Sequence, residues 1–441
     1  MNLLKGFYRA ILGTGLLAVA VSAAELRVAA FRADATPAMG EPLIWIQPTT
    51  KVEDPLLAKG VVLDDGKHRY VLCSVDWCGL GGSTHLLFRR KAAAAAGTDI
   101  SRVTIHSVHQ HTAPYIDGGA YSLMRTFPNP PLLMSDEYLE AVTDRLAGAV
   151  KEAVKRLQPF DSIGVGEARV ERVASARRIH DDGKLVTRYS TGAKDPKMAA
   201  LPEGEIDPAV RTVTLANGGK PLVRLHYYAT HPQTFCCDGR VSGDFVNTAR
   251  EKLEQDEGIP QVYFTGCAGN VTVGKYNDGS EKARAELARQ LRKGFDSSID
   301  ATRFHKAAAL RWKTTDLKLP PKPGIPTDPS ALKGKSGVDL YRSAQATAFC
   351  MRTEPLTMSL LEIGPARIIH MPGEPMLEFQ KYALGVNRSP FLAVAGYGDI
   401  SPGYLCTDQA FREGGYEPSA SNAGPGTEAQ IKKAIDKLLR K

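Results

Sequence analysis

The segment VTIHSVHQHT, residues 103–112, joins a strand to a pair of closely spaced histidines. Apolar and polar residues alternate from Val103 to His109, which is the pattern of a β-strand. Because side chains alternate between the two faces of a strand, we expect His109 and His111 on one face and His106 on the other. Two imidazoles at a strand end can share a metal ion, or one can bind the ion while the other donates a proton. Two hydrogen-bonded structural histidines would give the same short pattern.

Strand-like and helix-like segments alternate on both sides of this segment. The predicted elements are hairpins over residues 60–75 and 210–228, helices over residues 86–96, 136–157 and 282–292, and short strands over residues 367–371 and 392–395. The alternation predicts an α/β (mixed α+β) fold, with a single large domain around a mixed β-sheet. Residues 317–337 are rich in proline and lysine, and we expect them to form a surface loop within that domain.

The first residues have the organisation of a secretory signal peptide. Lys5 and Arg9 are basic, residues 10–21 are almost all apolar, and Val21-Ser22-Ala23 resembles a signal peptidase site. The apolar run is shorter than the about 20 residues that span a bilayer. We therefore expect residues 1–23 to be removed and the remaining chain to be secreted or periplasmic.

The composition is that of an ordinary globular protein, with 43% hydrophobic and 24% charged residues. The formal net charge is +8, but the lysines and arginines are scattered and form no basic tract, which argues against a nucleic acid partner. The seven cysteines include no CxxC pair, which excludes a structural zinc ribbon. Cys73 could pair with Cys78, and Cys236 or Cys237 with Cys267, so that at least one thiol remains unpaired.

Further polar features stand where other predicted strands end. His231 closes a hairpin strand and precedes a proline, and Glu374 lies in a rigid turn between Pro-Gly and Pro. The loop of residues 264–272 is rich in glycine and hydroxyl groups, and its backbone N–H groups could hold an oxyanion. Each feature taken alone is equally compatible with a structural role. Together, two histidines, a glutamate and a further oxygen donor are the ligand set of a catalytic rather than a structural zinc.

With these residues, the sequence resembles the neutral/alkaline non-lysosomal ceramidase family, and specifically its N-terminal catalytic domain. Short motifs match in the family's order along nearly the whole chain. The matching segments are Ala33-Asp34-Ala35-Thr36-Pro37, Val75-Asp76, His109-Gln110-His111-Thr112, Ala229-Thr230-His231-Pro232, Ser242-Gly243-Asp244, Ala268-Gly269-Asn270-Val271-Thr272, Pro372-Gly373-Glu374, Tyr404 and Tyr416-Glu417. The resemblance implies a ceramidase-like catalytic domain over residues 24–441.

The resemblance also implies a role for each matched residue. The implied Zn²⁺ ligands are His109, His231, Glu374 and Tyr404. His111 would be the neighbouring acid or hydrogen-bond donor, and Tyr416 would orient or polarise the substrate carbonyl. The family's active-site arginine would be Arg177 or its neighbour Arg178. Thr272, together with Tyr416, would hold the tetrahedral oxyanion or the attacking water.

Two departures from the family pattern affect the expected substrate. Thr272 stands where the family has serine, and Val273-Gly274 stands where the family usually has Pro-Asn. The chain also ends soon after Tyr416, so we expect it to lack the C-terminal β-sandwich domain of full-length ceramidases. Because that domain helps to frame the lipid-binding face, the resemblance does not extend to ceramide itself as the substrate.

The expected function is the hydrolysis of an N-acyl amide, on a small molecule or a lipid, by a secreted zinc-dependent enzyme that uses metal-activated water. A lipid substrate would bring peripheral contact with a membrane surface. One alternative is an esterase, lactonase or phosphate hydrolase that uses the same site. The other is a secreted binding protein that has kept the zinc but lost turnover. The sequence does not identify the substrate or the oligomeric state.

Overall fold

The structure is a computed structural model that describes residues 25–440. The predicted signal peptide, residues 1–23, therefore lies outside the described residues. Between residues 25 and 440, none of the helices is long and apolar enough to cross a bilayer.

The secondary structure elements are numbered in chain order. The strands are β1 Arg27–Asp34, β2 Lys51–Val52, β3 Leu57–Asp64, β4 Arg69–Val75, β5 Gly79–Gly81, β6 Val103–Ser107, β7 Tyr115–Asp117, β8 Gln158–Pro159, β9 Ser162–Arg169, β10 Ser175–Ala176, β11 Arg178–Asp181, β12 Lys184–Thr187, β13 Ala209–Asn217, β14 Lys220–Tyr228, β15 Arg240–Val241, β16 Gln261–Thr265, β17 Val271–Thr272, β18 Arg303–Lys306, β19 Leu310–Leu317, β20 Leu356–Ile363, β21 Ala366–His370, β22 Glu374–Pro375, β23 Phe391–Ala395 and β24 Tyr404–Leu405. The helices are α1 Gly82–Ala96, α2 Gly118–Met124, α3 Asp136–Lys155, α4 Pro196–Ala200, α5 Asp244–Glu257, α6 Glu281–Asp300, α7 Gly337–Cys350, α8 Leu377–Val386, α9 Asp408–Glu413, α10 Tyr416–Ser419 and α11 Thr427–Leu439.

The mixed α/β class is confirmed, but the domain contains three large sheets instead of one. Their strand orders are β6-β4-β3-β1-β8, β16-β14-β13-β9-β18 and β19-β20-β21-β23. Each sheet is antiparallel except for one pair that includes an edge strand, namely β4 with β6, β14 with β16, and β21 with β23. Strand β16 contacts both β6 and β23, so the three parallel edges meet in the middle of the molecule. The carboxyl ends of parallel strands share one edge, and the loops that follow them gather there.

The facing sides of the three sheets share one central core. Val61 of the first sheet, Leu225 of the second and Ile368 of the third belong to a single cluster of buried apolar side chains. Helices α1 and α3 cover the outer face of the first sheet, α5 and α6 that of the second, and α8 and α11 that of the third. Both faces of the sheets are therefore covered, which explains why every residue of β3 is buried.

Elements with strong local signals form as the sequence predicts. The first predicted hairpin is β3 and β4, with Leu63 opposite Tyr70, and the second is β13 and β14. Gly218 and Gly219 have φ values of 55° and 79°, which explains the glycine pair in the second turn. Helix α3 begins after Ser135, whose side chain accepts a hydrogen bond from the Tyr138 N–H at 3.2 Å.

The strand predicted from Val103 to His109 is too long. Strand β6 ends at Ser107, and His109 has a left-handed backbone with φ 74°. The chain turns because the His109 N–H donates to the Trp77 carbonyl at 2.9 Å instead of continuing the ladder. His109 and His111 still lie side by side, with ring centroids 5.0 Å apart. His106 points elsewhere, with its Nδ1 2.6 Å from the Gly396 carbonyl oxygen.

The predicted disulfide pairings are wrong. Cys236 is bonded to its neighbour Cys237, whereas Cys73, Cys78 and Cys267 are free and buried. Cys73 lies inside β4, and Cys78 lies beyond the end of that strand, so the two thiols sit at different levels of the core. Cys267 packs instead in the cluster beneath the third sheet, with its sulfur 3.7 Å from that of Met371.

Candidate metal centre

His109 is fixed at the edge where the parallel strands end. Its Nδ1 lies 2.5 Å from the Cys78 carbonyl oxygen, so this nitrogen carries the proton and donates it. The ring of Tyr397 stacks on the imidazole, with centroids 4.3 Å apart and planes inclined by 30°. His109 is buried, and its Nε2 is left with a lone pair that points away from the backbone. The side chain is therefore held in one orientation and one tautomer.

His231 follows β14 and is fixed in the same way. Its Nδ1 lies 2.7 Å from the carbonyl oxygen of Ala268 and 3.0 Å from that of Val271. Burial lowers the pKa of His231 to about 3, so the imidazole is neutral. The loop after β16 thus orients His231 through its carbonyl groups. The Nε2 atom of His231 points at that of His109 across 3.2 Å.

Glu374 completes the cluster from the third sheet. The Gly373 backbone has φ 67°, and a Cβ there would lie 2.9 Å from Leu405 Cγ and 3.0 Å from the Gly403 carbonyl oxygen. That same carbonyl accepts the Glu374 N–H at 2.9 Å, so the glycine allows the close approach that aims the carboxylate. In the short parallel ladder of β22 and β24, Glu374 is paired with Tyr404.

The three side chains converge on one point. Glu374 Oε2 lies 3.2 Å from His109 Nε2 and 3.6 Å from His231 Nε2. Although burial opposes it, the neighbouring His109 and His231 hold the pKa of Glu374 well below its ordinary value. Because both Nδ1 atoms donate to carbonyls, two nitrogen lone pairs and an anionic oxygen face each other in a buried space. A cation satisfies this arrangement, and the donor set of two imidazoles and one carboxylate fits Zn²⁺.

A cavity of about 420 Å³ opens over this cluster. The expected site residues that line it are His109, His111, Glu374, Tyr404 and Tyr416. The Nε2 atom of His111 is buried and has no hydrogen-bond partner among the described residues. Burial lowers the pKa of His111 well below its ordinary value, and the neighbouring His109 and His231 disfavour its protonation further. His111 is therefore a neutral imidazole with a free nitrogen inside the cavity wall.

The geometry distinguishes the two adjacent arginines. Arg177 donates to the Tyr404 hydroxyl at 3.1 Å and to the Gly269 carbonyl at 2.8 Å, and it lies over the rings of Tyr404 and Tyr416. Arg178 instead binds the Gly414 carbonyl and the carboxylates of two glutamates on α9 and α10. Although burial opposes it, the neighbouring Tyr404 and Glu417 raise the pKa of Arg177. Arg177 is thus the arginine that contacts the cavity tyrosines.

Thr272 lies outside the lining of the cavity. It is fully buried and pairs with Ser175 in a two-residue ladder, and its hydroxyl has no hydrogen-bond partner among residues 25–440. The N–H groups of the same loop are also largely committed, because those of Gly266 and Gly269 donate to backbone carbonyls and that of Cys267 donates to a glutamine side chain. The interpretation of this loop as a set of free oxyanion donors is therefore wrong for these amides.

Several residues of the site carried no signal in the sequence. Tyr397, which stacks on His109, follows a buried strand with no polar motif around it. Trp45 lines the cavity from a turn, and Tyr115 lines it from the start of β7, which is distant along the chain. Arg342 lies on α7, and Lys322 lies in the segment predicted as a surface loop, which in fact forms part of the cavity wall. The His-Gln-His, His-Pro and Pro-Gly-Glu patterns indicate the three clustered residues, and the resemblance adds Tyr404 and Tyr416.

No family model and no curated protein matches the sequence. Two solved structures nevertheless share the fold. Neutral ceramidase from Pseudomonas aeruginosa superimposes with a TM-score of 0.70 at 16% identity, over 94% of this chain and 75% of that chain. A ceramidase complexed with C2 gives a TM-score of 0.70 at 16% identity, over 95% and 76%. The expected resemblance to neutral ceramidase is therefore confirmed, at the level of the fold.

Proposed function

We propose that this chain, which has the fold of neutral ceramidase, is a Zn²⁺-dependent hydrolase that cleaves an N-acyl amide bond. The observation that carries the proposal is the convergence of two imidazole nitrogens and a carboxylate oxygen at the base of a cavity of about 420 Å³. A structural zinc has four protein ligands in a closed site, whereas a catalytic zinc keeps an open position. An open cavity over three donors fits the catalytic case.

His109, His231 and Glu374 would hold the metal, with the Tyr404 hydroxyl as the fourth protein donor. When bound, Zn²⁺ would lower the pKa of a coordinated water to about 7 and polarise the scissile carbonyl. The carbonyls of Cys78 and Ala268 keep both histidines in the tautomer that presents Nε2 to the metal. Such outer hydrogen bonds raise the affinity of a metal site about 10–100-fold.

The other cavity residues would bind the substrate and move protons. His111 is neutral, and its free Nε2 can accept a proton from water and pass it to the leaving amine. Arg177 keeps the Tyr404 hydroxyl in place through the hydrogen bond of 3.1 Å. Tyr416, whose ring lies 5.6 Å from that of Tyr404, would donate a hydrogen bond from its hydroxyl to the substrate carbonyl oxygen and so polarise it. In this proposal Thr272 supports the loop that orients His231, because it follows Val271, whose carbonyl contacts His231, and does not line the cavity.

The proposal also includes export of the protein. The signal-like segment of residues 1–23 supports secretion or a periplasmic location. The bond between Cys236 and Cys237 is compatible with an oxidising compartment. Detection of mature protein that begins near residue 24 in the medium or periplasm would test this part, and retention of the full-length chain in the cytosol would contradict it.

Metal content and amide hydrolysis test the central proposal together. Purified protein should contain about one zinc per chain, and its removal by a chelator should abolish the release of amine from N-octanoyl amides, with recovery on adding Zn²⁺. His109→Ala and His231→Ala should each lose the metal. His305→Ala is a suitable control, since His305 is exposed on β18 and does not line the cavity. Full metal content in either cluster variant would refute the assignment of the ligands.

The same assay separates the amidase from its alternatives. A metal-polarised carbonyl can belong to an ester or a lactone as well as to an amide, so ester and amide pairs with the same acyl group should be compared. Esters are hydrolysed faster than amides even without an enzyme. An ester-to-amide ratio of kcat/KM that exceeds the ratio of the uncatalysed rates would favour an esterase. Zinc-loaded protein that shows no single-turnover reaction with any of these substrates would favour a binding protein.

A further inference from the structure

The cavity over the metal cluster carries more positive than negative charge. Arg342 of α7 and Lys322 of the loop before it both line the cavity, and Glu374 is the only carboxylate among the described lining residues. The charge of Glu374 is already directed at His109 and His231. A molecule that enters the cavity therefore meets two cations that have no acidic partner in the wall.

The Arg342 guanidinium lies over an aromatic ring and has unused hydrogen-bond donors. Its guanidinium carbon lies 4.1 Å from the centroid of the Trp45 ring, so the planar group stacks on an aromatic platform. Across residues 25–440, the Arg342 guanidinium donates no hydrogen bond to a side chain or a backbone group and forms no ion pair. Its N–H donors consequently remain available to a ligand. Because stacking already restricts the side chain, less conformational entropy is lost when a ligand binds to it.

The platform under Arg342 is held in a strained conformation. Trp45 and Ile46 have φ values of 58° and 55°, which residues other than glycine adopt only where the surrounding structure enforces them. The turn is anchored by the Ile44 N–H, which donates to the Ala113 carbonyl at 3.0 Å, just after the His111 segment. The Trp45 ring also stacks with that of Tyr115, with centroids 6.4 Å apart. Strain of this kind is concentrated at ligand-binding sites, and here it occurs in the turn that places the Trp45 ring against Arg342.

Lys322 is held beside the same cavity. Its Nζ donates to the Pro418 carbonyl at 2.8 Å and to that of Ser419 at 3.1 Å. Two of its three N–H donors are thus used to fix it, and one is left. The N–H of Lys322 also donates to the Asn422 carbonyl at 2.9 Å, which fastens the loop to the cavity wall. The second cation is therefore part of the folded wall.

We propose that the amide cleaved at this site carries a carboxylate, as an N-acyl amino acid does, and that Arg342 and Lys322 bind this carboxylate away from the scissile bond. The inference rests on the proposed function in that it concerns the substrate of the same cavity. A guanidinium offers two parallel N–H donors that match the two oxygens of a carboxylate, and Lys322 adds a charged donor. A neutral amide leaves both cations without a partner, so the site should discriminate against it.

The test compares substrates that differ only in the charged group. N-octanoylglycine has a carboxylate on the amine half, its neutral counterpart is N-octanoylethanolamine, and the ethanolamide of suberic acid places the carboxylate on the acyl half. We expect kcat/KM to be at least about tenfold higher for one of the two carboxylates than for the neutral amide, as for a charged hydrogen bond. Arg342→Gln should reduce this ratio to near unity, mainly through KM, and Arg342→Lys should restore part of it. Arg303→Gln on the exposed strand β18 should leave the ratio and the rates unchanged.

A binding measurement makes the inference independent of turnover. The dissociation constants of N-octanoylglycine and of the suberic acid ethanolamide are measured by calorimetry with chelator-treated protein, for the wild type and for Arg342→Gln. A rise of about tenfold in the variant for either compound supports the inference even if no amide is hydrolysed, in which case only the proposed function fails. If amides are hydrolysed with equal kcat/KM whether charged or neutral, the inference is wrong and the proposed function stands. If both dissociation constants are the same in Arg342→Gln and the wild type, the inference is also wrong, and amide hydrolysis alone then decides the proposed function.

Discussion

Gly373→Ala tests whether the backbone that aims Glu374 depends on the absence of a side chain. With φ at 67°, an alanine would adopt a left-handed conformation that costs about 1–2 kcal/mol. Its Cβ would also lie 2.9 Å from Leu405 Cγ and 3.0 Å from the Gly403 carbonyl oxygen. Such overpacking costs about 1–3 kcal/mol more, and it pushes away the carbonyl that accepts the Glu374 N–H. We expect the free energy of unfolding to fall by about 2–5 kcal/mol, the sum of the two contributions.

The assay is urea-induced unfolding of chelator-treated protein, followed by measurement of zinc content after reloading. Gly183→Ala is a matched control, because Gly183 has φ 74° in the turn between β11 and β12 and its Cβ would have no atom within 4 Å. The control should lose only the about 1–2 kcal/mol of the left-handed conformation and should bind zinc fully. Gly373→Ala should lose more stability and bind less zinc. Equal losses in the two variants, or full zinc content in Gly373→Ala, would refute the role given to the close contact.

Three further predictions follow from individual contacts. Arg177→Gln should lower kcat by about ten- to a hundredfold, whereas Arg178→Gln should change it little, because only Arg177 contacts the cavity tyrosines. A larger loss of kcat in Arg178→Gln would instead identify Arg178 as the arginine of the site. Tyr397→Leu should weaken zinc binding by about tenfold in competition with a chromophoric chelator, because it removes the ring stacked on His109, and an unchanged affinity would contradict that role. Burial lowers the pKa of His226 from 6.5 to about 3, so its contribution to stability is complete above pH 6.5 and is lost as the pH falls below that value. His226→Gln should therefore flatten the decline of the unfolding free energy between pH 6.5 and 4 by about 1.4 kcal/mol per pH unit, and an unaltered slope would exclude His226 as its source.

The elements that the sequence predicts correctly have causes within a few residues. Gly218 and Gly219 allow the positive φ values of their hairpin turn, and Ser135 caps α3 with its own side chain. The division into three sheets has no such local cause, because it depends on which faces of the strands meet in the central core. For the same reason, the composition of residues 317–337 predicts a surface loop, whereas no local pattern indicates that Lys322 lines the cavity.

The site shows the same division between local and tertiary information. His109, His231 and Glu374 each stand in a short motif, and the resemblance to ceramidases indicated that the three belong together. Tyr397 follows the end of β23, and Arg342 lies on α7, and neither stands in a recognisable motif. They belong to the site only because the fold brings the end of β23 and one side of α7 next to it. The choice between Arg177 and Arg178 also needed the structure, because adjacent residues can be separated only by the directions of their side chains.

Backbone strain around the cavity connects the fold to the proposed chemistry. His109, Tyr397 and Trp45 have φ values of 74°, 58° and 58°, conformations that cost residues of this kind about 1–3 kcal/mol each. Each lies where a buried strand or an anchored turn ends, so the packed sheets hold it in a conformation that its own sequence does not favour. His109 consequently aims its Nε2 at Glu374 and His231, the Tyr397 ring stacks on the imidazole, and the Trp45 ring packs against the Arg342 guanidinium. The precision of the site is therefore a property of the three-sheet core.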